Sequence, residues 1–282
     1  MDSPPLTLES LGFTAGEHGW SREVAGRPLT FRRLRTRADL EQTERLQREV
    51  FGVSERDLAS FSILIVIHKT GGDVLGAFSG ERLVGYIWGY GGYVNGRPRL
   101  VSDMMGVEPA WRGGVGWALK AFQACIALAD GFPEAVWTVD PLRAANARLN
   151  FARLGAHANE YLEDFYGSDF AEGLYAGLPS DRLVVTWPIA SPRVAATLQG
   201  LTPPTDRAAI LALPDYGPST AQEVRLAIPS DIDAVLARDP ARGRAWRYTI
   251  RTALQRAFAA GYTITDFAGS RDEDVGYFKL TK

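Results

Sequence analysis

The chain is poor in the residues that most readily announce chemistry. It has one cysteine, Cys125, so no disulfide can close within it, which suits a reducing compartment. Cys125 sits in an Ala/Leu-rich stretch and reads as a core filler. Its three histidines, His18, His68 and His157, are scattered without HxxxH or HExxH spacing. A zinc site or a Ser/His/Asp triad therefore has no support, and no metal is expected. An excess of one charge is also missing. The 31 Lys and Arg against 33 Asp and Glu leave a formal net charge of −2, which argues against nucleic-acid partners and anionic membrane surfaces. The densest apolar run, Ile63-Leu64-Ile65-Val66-Ile67, falls far short of the ~20 residues that span a bilayer. The opening MDSPPLTLES lacks the basic and apolar regions of a secretory leader, so the expectation is a soluble, cytoplasmic protein. What the chain has in quantity is apolar side chains: 46% of 282 residues, enough for a sizeable core.

Residues 1–28 carry Pro and Gly without a sustained period and read as an N-terminal arm. Residues 29–34 alternate as a strand. Thr36 and Asp39 then offer caps to a helix that Gly52 stops. Residues 57–68 lean helical up to Gly71-Gly72. Residues 73–78, 83–90 and 100–107 form an antiparallel run, the last pair joined at Asn95-Gly96, whose positive φ preference suits a tight hairpin. Residues 117–128 are helical, 135–139 form a strand and 146–154 a helix. Residues 161–166 and 183–187 read as closing strands. Residues 191–222, rich in Pro, Thr and Ala, read as a linker. Beyond them a strand at 223–228, a short helix, a longer helix at 242–260 and a hairpin (262–267 with 275–280) make a small α+β unit. Strand, two helices, two strands echoes the first half of the chain, as a degenerate repeat or a coincidence of small units.

The organising stretch is residues 100–119. An apolar strand is broken at Glu108-Pro109, since proline has no N–H for a ladder. Arg112-Gly113-Gly114-Val115-Gly116 follows, then a helix free of Gly and Pro. Strand, glycine turn and helix is the form of an anion cradle, because inward N–H groups and the helix N-terminus both favour phosphate.

These residues resemble the GNAT acyltransferase superfamily. Val107-Glu108-Pro109-Ala110-Trp111-Arg112 reads onto the start of V-x-P-x-x-R-G-x-G-[IV]-G-x-x-L, and the glycine part is one residue short. Trp137-Thr138-Val139-Asp140-Pro141-Leu142, Asn146-Ala147, Leu154-Gly155-Ala156 and Gly177-Leu178-Pro179-Ser180-Asp181-Arg182-Leu183 resemble a GNAT branch with a C-terminal extension. The resemblance implies an α+β fold of three-layer, α/β type. Its mixed, mostly antiparallel central sheet is flanked by helices, with a small C-terminal α+β unit added. It implies the domains 1–28 (arm), 29–190 (acyltransferase), 191–222 (linker) and 223–282 (C-terminal). The implied activity is direct acyl transfer from acetyl-CoA or another acyl-CoA to a small-molecule amine, without a metal.

Carried over residue by residue, Met105, Gly106 and Val107 face the pantetheine arm. Arg112, Gly113, Gly114, Val115 and Gly116 hold the pyrophosphate, and Asn146 contacts the cofactor. Asp103 stands where many members place an acidic residue and is the candidate base; the plainer reading pairs it with Arg97 or Arg99. Phe151 occupies the position of the family's tyrosine acid and has no proton to give, so Tyr161 and Tyr166 are the nearest hydroxyls, with Tyr166 taken as the candidate acid. Gly106 could equally mark a plain bulge. Asp181-Arg182 reads as a structural ion pair, and Arg242, Arg244, Arg247, Arg251 and Arg256 as a solvated basic face. The competing reading is a fold of this type that binds CoA without turnover. A dinucleotide oxidoreductase fails, because the turn follows a meander rather than opening a βαβ unit. A homodimer stays open, since the C-terminal segment could dock on a second subunit.

Overall fold

The computed structural model describes residues 5–167, 177–217, 221–270 and 272–282. Two compact units emerge, Met1–Val136 with Pro188–Gln199, and Trp137–Trp187 with Gly200–Lys282. This division differs from the one expected. Residues 223–282 share a unit with the second half of the expected acyltransferase domain.

The first unit is a meander with helices on both faces. Its strands are β1 (Thr14–Gly16), β2 (Gly19–Val24), β3 (Arg27–Arg33), β4 (Asp73–Ser79), β5 (Arg82–Val94) and β6 (Arg97–Val107), each antiparallel to the next. β7 (Ala135–Val139) begins here and runs parallel to β6. The expected arm thus contributes two sheet strands. Their outer face is wet, so they lack the apolar period by which a strand is recognised in sequence. Asn95 and Gly96 take φ of 51° and 74°, as the hairpin turn requires.

Helices α1 (Arg37–Phe51) and α2 (Phe61–Lys69) cover one face. Thr36 accepts from the Asp39 N–H at the start of α1, and Gly52 ends it in the left-handed region. Leu40, Leu46 and Leu64 pack there with Val74, Phe78, Tyr86 and Trp88. Helix α3 (Val115–Ala129) lies on the other face, where Phe122 meets Phe13 and Phe31 at 5.6 and 5.9 Å between ring centroids. Cys125 is buried, and burial with the Glu9 charge pushes its thiol up to about 12, the state of an inert core filler. A short helix, Pro192–Leu198, capped by Ser191, occupies part of the expected linker.

In the second unit the strand order is β7, β9 (Arg182–Trp187), β8 (His157–Leu162), β11 (Thr263–Ala268), β12 (Val275–Thr281) and β10 (Glu223–Pro229). The closing strand expected at 161–166 lies earlier, at β8. The expected helix at 146–154 is Ala144–Ala147 followed by a π-helical turn, Arg148–Arg153. Helix Arg207–Ala212, capped by Asp206, fills more of the expected linker. Helices Ile232–Arg238 and Pro240–Ala259 begin at Asp231 and Asp239, whose carboxylates accept from the third N–H beyond. The apparent repeat does not extend to topology. β3 pairs with β4, whereas its counterpart β10 pairs with β12 and not β11.

Candidate functional site

Glu108 fixes the exit from β6. Its N–H donates to Val84 O at 2.9 Å, and its buried carboxylate accepts from Arg45 at 2.9 Å and from Arg82 at 3.1 Å. Pro109 opens a single 3-10 turn, Pro109–Trp111. Arg27 donates to Ala110 O at 3.2 Å and stacks its guanidinium 3.8 Å over the Trp111 ring. The region expected as an arm therefore buttresses the turn. Gly113 has φ +108°, a value that side chains resist, and a Cβ on Gly114 would lie 2.7 Å from Val24 Cγ1. Gly114 is the N-cap of α3, with no side chain capping the helix. The first intrahelical bond is Ala118 N–H to Gly114 O, which leaves the Val115, Gly116 and Trp117 N–H groups at the mouth of the helix. Arg112, Gly113, Gly114, Val115 and Gly116 thus form one exposed-to-buried turn, with donors uncommitted among the described residues and a helix dipole behind them.

Strand β6 pairs with β7 at Leu100–Ala135 and Val101–Val136. On its other side the ladder slips: Trp88 pairs with Met104 and Gly89 with Ser102, so Asp103 is the extra residue of a bulge. Asp103 is exposed, and no ion pair reaches it among the described residues; Arg99 instead pairs with Glu134 at 2.7 Å. Desolvation by the groups packed around it pushes its carboxyl above the ordinary aspartate range. Met105 pairs with Ile87 and Val107 with Gly85. Gly106 is in regular register opposite Tyr86, and a Cβ there would lie 2.7 Å from Tyr86 Cε1. The bulge is at Asp103, and the glycine's bareness houses a ring. Tyr86 OH donates to Met104 Sδ at 3.0 Å, and burial, then the Asp103 charge, hold this phenol protonated.

A polar group that sequence reasoning passed over lies beneath this strand. Lys120 on α3 is 3% exposed and donates from Nζ to Ser102 Oγ at 2.9 Å; Ser102 donates to Gln123 Oε1 at 2.7 Å. Burial pushes the Lys120 amine well below the usual lysine range. The signal was available: Lys120 and Gln123 are three apart on a helix face otherwise made of Ala, Leu and Phe.

Asn146 and Tyr166 belong to the second unit, apart from the turn in the chain. Asn146 is exposed on the helix Ala144–Ala147. Tyr166 OH lies 3.2 Å from Thr138 Oγ1, and Arg182 stacks 4.7 Å over its ring. The expected Asp181–Arg182 ion pair is not formed among the described residues, where Asp181 pairs with Arg251. Asp181 is fully buried and accepts from Tyr161 OH at 2.6 Å, from Arg251 at 2.6 and 2.8 Å, and from the Asp164 N–H at 3.0 Å. Arg247 is also not solvated: it is 1% exposed and meets Asp140 at 2.7 Å. Arg242, Arg244 and Arg256 alone stay exposed. Phe151 is core, edge-on to Phe278 at 5.8 Å.

Each unit also has a cleft. One of about 780 Å³ is lined by Arg33, His68, Tyr90, Tyr93, Asp130 and Phe132, and one of about 750 Å³ by Tyr216, Tyr248, Thr252 and Arg256. Neither includes a residue expected to catalyse or to hold the cofactor, and Arg256 of the expected basic face lines the second. Among the described residues no three His, Cys, Asp or Glu side chains gather as metal ligands, and no helix is long and apolar enough to cross a membrane.

No family model matches the chain, and no curated protein matches it. Solved structures do. An acetyltransferase of the GNAT family from Streptococcus pneumoniae is 17% identical, with a TM-score of 0.44 over 56% of this chain and 97% of its own. The ribosomal-protein-S18-alanine N-acetyltransferase from Escherichia coli is 16% identical, with 0.45 over 58% and 95%. An aminoglycoside 6'-acetyltransferase type Ii is 15% identical, with 0.45 over 56% and 96%. At this level neither substrate nor residue role passes from them to this chain.

Proposed function

We propose that this protein is an acyl-CoA-dependent N-acyltransferase acting on a small amine, with acetyl-CoA the first donor to test. One observation carries the reading. Strand β6 leads through the Pro109–Trp111 turn into a glycine turn and an uncapped helix N-terminus. The N–H groups of Val115, Gly116 and Trp117 then receive the pyrophosphate. An extended amide-bearing arm hydrogen-bonds to strand backbone as an added strand would. Met105, Gly106 and Val107 supply that backbone, and Arg112 adds charge at the rim. Asp103, raised in pKa and exposed at the bulge, takes the proton from the attacking amine.

Gly116→Glu tests the cradle. Loss of a helical glycine and a carboxylate in the first turn together stabilise α3 by a few tenths to about 1 kcal/mol. The same carboxylate repels the pyrophosphate, so CoA affinity should fall roughly 100-fold, about 2.7 kcal/mol. Calorimetric titration and a melting curve read both signs. A variant that binds CoA like the wild type removes the cradle from the proposal.

Asp103→Asn tests the base. A carboxyl whose folded pKa is raised favours the fold below its unfolded pKa, and that contribution is lost as pH rises through the folded value. At neutral pH the variant should be at least as stable as the wild type, while turnover falls by about 10²–10⁴. Lost stability with the rate retained in the folded fraction would make Asp103 structural.

A second reading, a CoA-binding protein without turnover, draws on Phe151, which offers no proton where the resemblance expects one. Binding without thiol release from any acyl-CoA would favour it.

A further inference from the structure

Arg22 and Arg27 lie in the region that reads from sequence as an N-terminal arm, and both are held beside the glycine turn. Strands β2 and β3 join through Ala25 and Gly26, whose φ of 51° and 75° suit a two-residue hairpin. Val24 and Arg27 are directly opposite across it, so their side chains share a face. Arg22, two residues before Val24, is on that face as well. This is the face that meets the turn, since a Cβ on Gly114 would strike Val24 Cγ1. Arg27 donates to Ala110 O at 3.2 Å and lies 3.8 Å over the Trp111 ring. The Arg22 guanidinium stands 5.1 Å from the Phe13 ring centre and 5.0 Å from that of Trp117, in the first turn of α3. A bare Gly12 leaves room for it, because a Cβ there would lie 2.9 Å from Arg22 Nη1.

Among the described residues neither arginine enters an ion pair, whereas Arg32 and Arg33 at the far end of β3 pair with Asp39 and Asp73. Burial lowers the Arg22 pKa with no acidic group to offset it. A partly desolvated cation without a counterion draws an anion more strongly than one in open water. A ring against a guanidinium covers its face and leaves the N–H groups at its edge free to bind in plane.

We propose that the β2–β3 hairpin is a wall of the cofactor site, and that Arg22 and Arg27 hold the 3′-phosphate of the donor's adenosine. The inference rests on the acyl-CoA reading, in which the pyrophosphate occupies the adjoining turn. A phosphate monoester brings a charge of about −1.5 to −2 at neutral pH and three acceptor oxygens, which suit two guanidinium edges. The backbone donors of the turn meet only the pyrophosphate, which CoA shares with 3′-dephospho-CoA. The hairpin supplies the distinction between the two.

The test is calorimetric titration of the full chain with CoA and with 3′-dephospho-CoA. Wild type should bind CoA about 10–100-fold more tightly, the effect of losing charge-assisted hydrogen bonds. Arg22→Met combined with Arg27→Gln should bring that ratio close to one, with the affinity for 3′-dephospho-CoA unchanged. Arg22→Lys with Arg27→Lys keeps the charges and should keep part of the preference, and it serves as the test should the uncharged variant melt early. Added salt should weaken CoA more than 3′-dephospho-CoA in wild type alone. Equal binding of the two ligands by wild type, or a preference that survives the uncharged substitutions, would overturn the hairpin's role and leave the acyl-CoA reading intact. Equal loss of both ligands in the variants would show that the arginines only shape the turn, and would also overturn it. If wild type binds neither ligand, the acyl-CoA reading falls and this inference falls with it.

Discussion

Replacing Arg247 with methionine is expected to destabilise the protein by about 3–5 kcal/mol. Arg247 and Asp140 are 1% and 5% exposed and meet at 2.7 Å. Asp140 also accepts the Leu142 N–H at 2.8 Å, which shapes the turn after β7. Removing the guanidinium strands a carboxylate in a medium that cannot solvate it. The pair itself is poorly satisfied, because Arg247 Nε and Nη1 are buried and find no partner among the described residues. The double replacement Asp140→Asn with Arg247→Met should therefore recover most of the loss, since apolar or neutral substitutes for a buried ion pair are often neutral or better. Urea titration of both variants separates the cases. A single variant within about 1 kcal/mol of wild type would mean that the carboxylate reaches water or another cation.

Cutting the chain before Glu223 is expected to remove the cooperative fold of the second unit altogether. The lost segment carries Arg247 and Arg251, the cations that sit on Asp140 and Asp181. It carries β11, which pairs with β8 at Ile264–Ala158, and Gly269 O, which Arg148 reaches at 2.6 Å. It also carries Phe278, against which Phe151 packs. Two unpaired buried carboxylates and an open core exceed the 5–15 kcal/mol by which a domain is ordinarily stable. Near-ultraviolet circular dichroism reports the environment of Trp187, now fully buried with Nε1 on Leu154 O at 2.8 Å. A truncated protein that is soluble, with an unchanged melting transition and Trp187 signal, would show residues 223–282 to be an independent appendage.

Local signals in the sequence came through. Thr36 caps a helix through its hydroxyl, Gly52 stops it in the left-handed region, and Asn95-Gly96 turns the hairpin. The strand at 135–139 and the helix after Gly114 start and stop close to where their apolar patterns do. Each of these depends on residues within one helical turn or one hairpin, and such interactions survive whatever the rest of the chain does.

The candidate site was legible only as a stretch of chain. Asp103 was visible as a carboxylate in an apolar strand. That it sits on a bulge depends on a register slip against Trp88 and Gly89, which no single strand records. Gly106 read as an approach for a ligand, yet Tyr86 fills its space. Lys120 and Arg247 look like surface residues by type, and both are buried because of partners elsewhere: Ser102 on a neighbouring strand, and Asp140 107 residues away.

By itself the sequence determined where several helices are capped and stopped, where the Asn95-Gly96 hairpin turns, and that a glycine turn joins an apolar strand to an apolar helix. The tertiary structure alone decided which strands pair, where the two compact units divide, and which charges are buried. Propensity and capping act over a few residues, whereas burial and register are set by whichever distant surface packs against each residue.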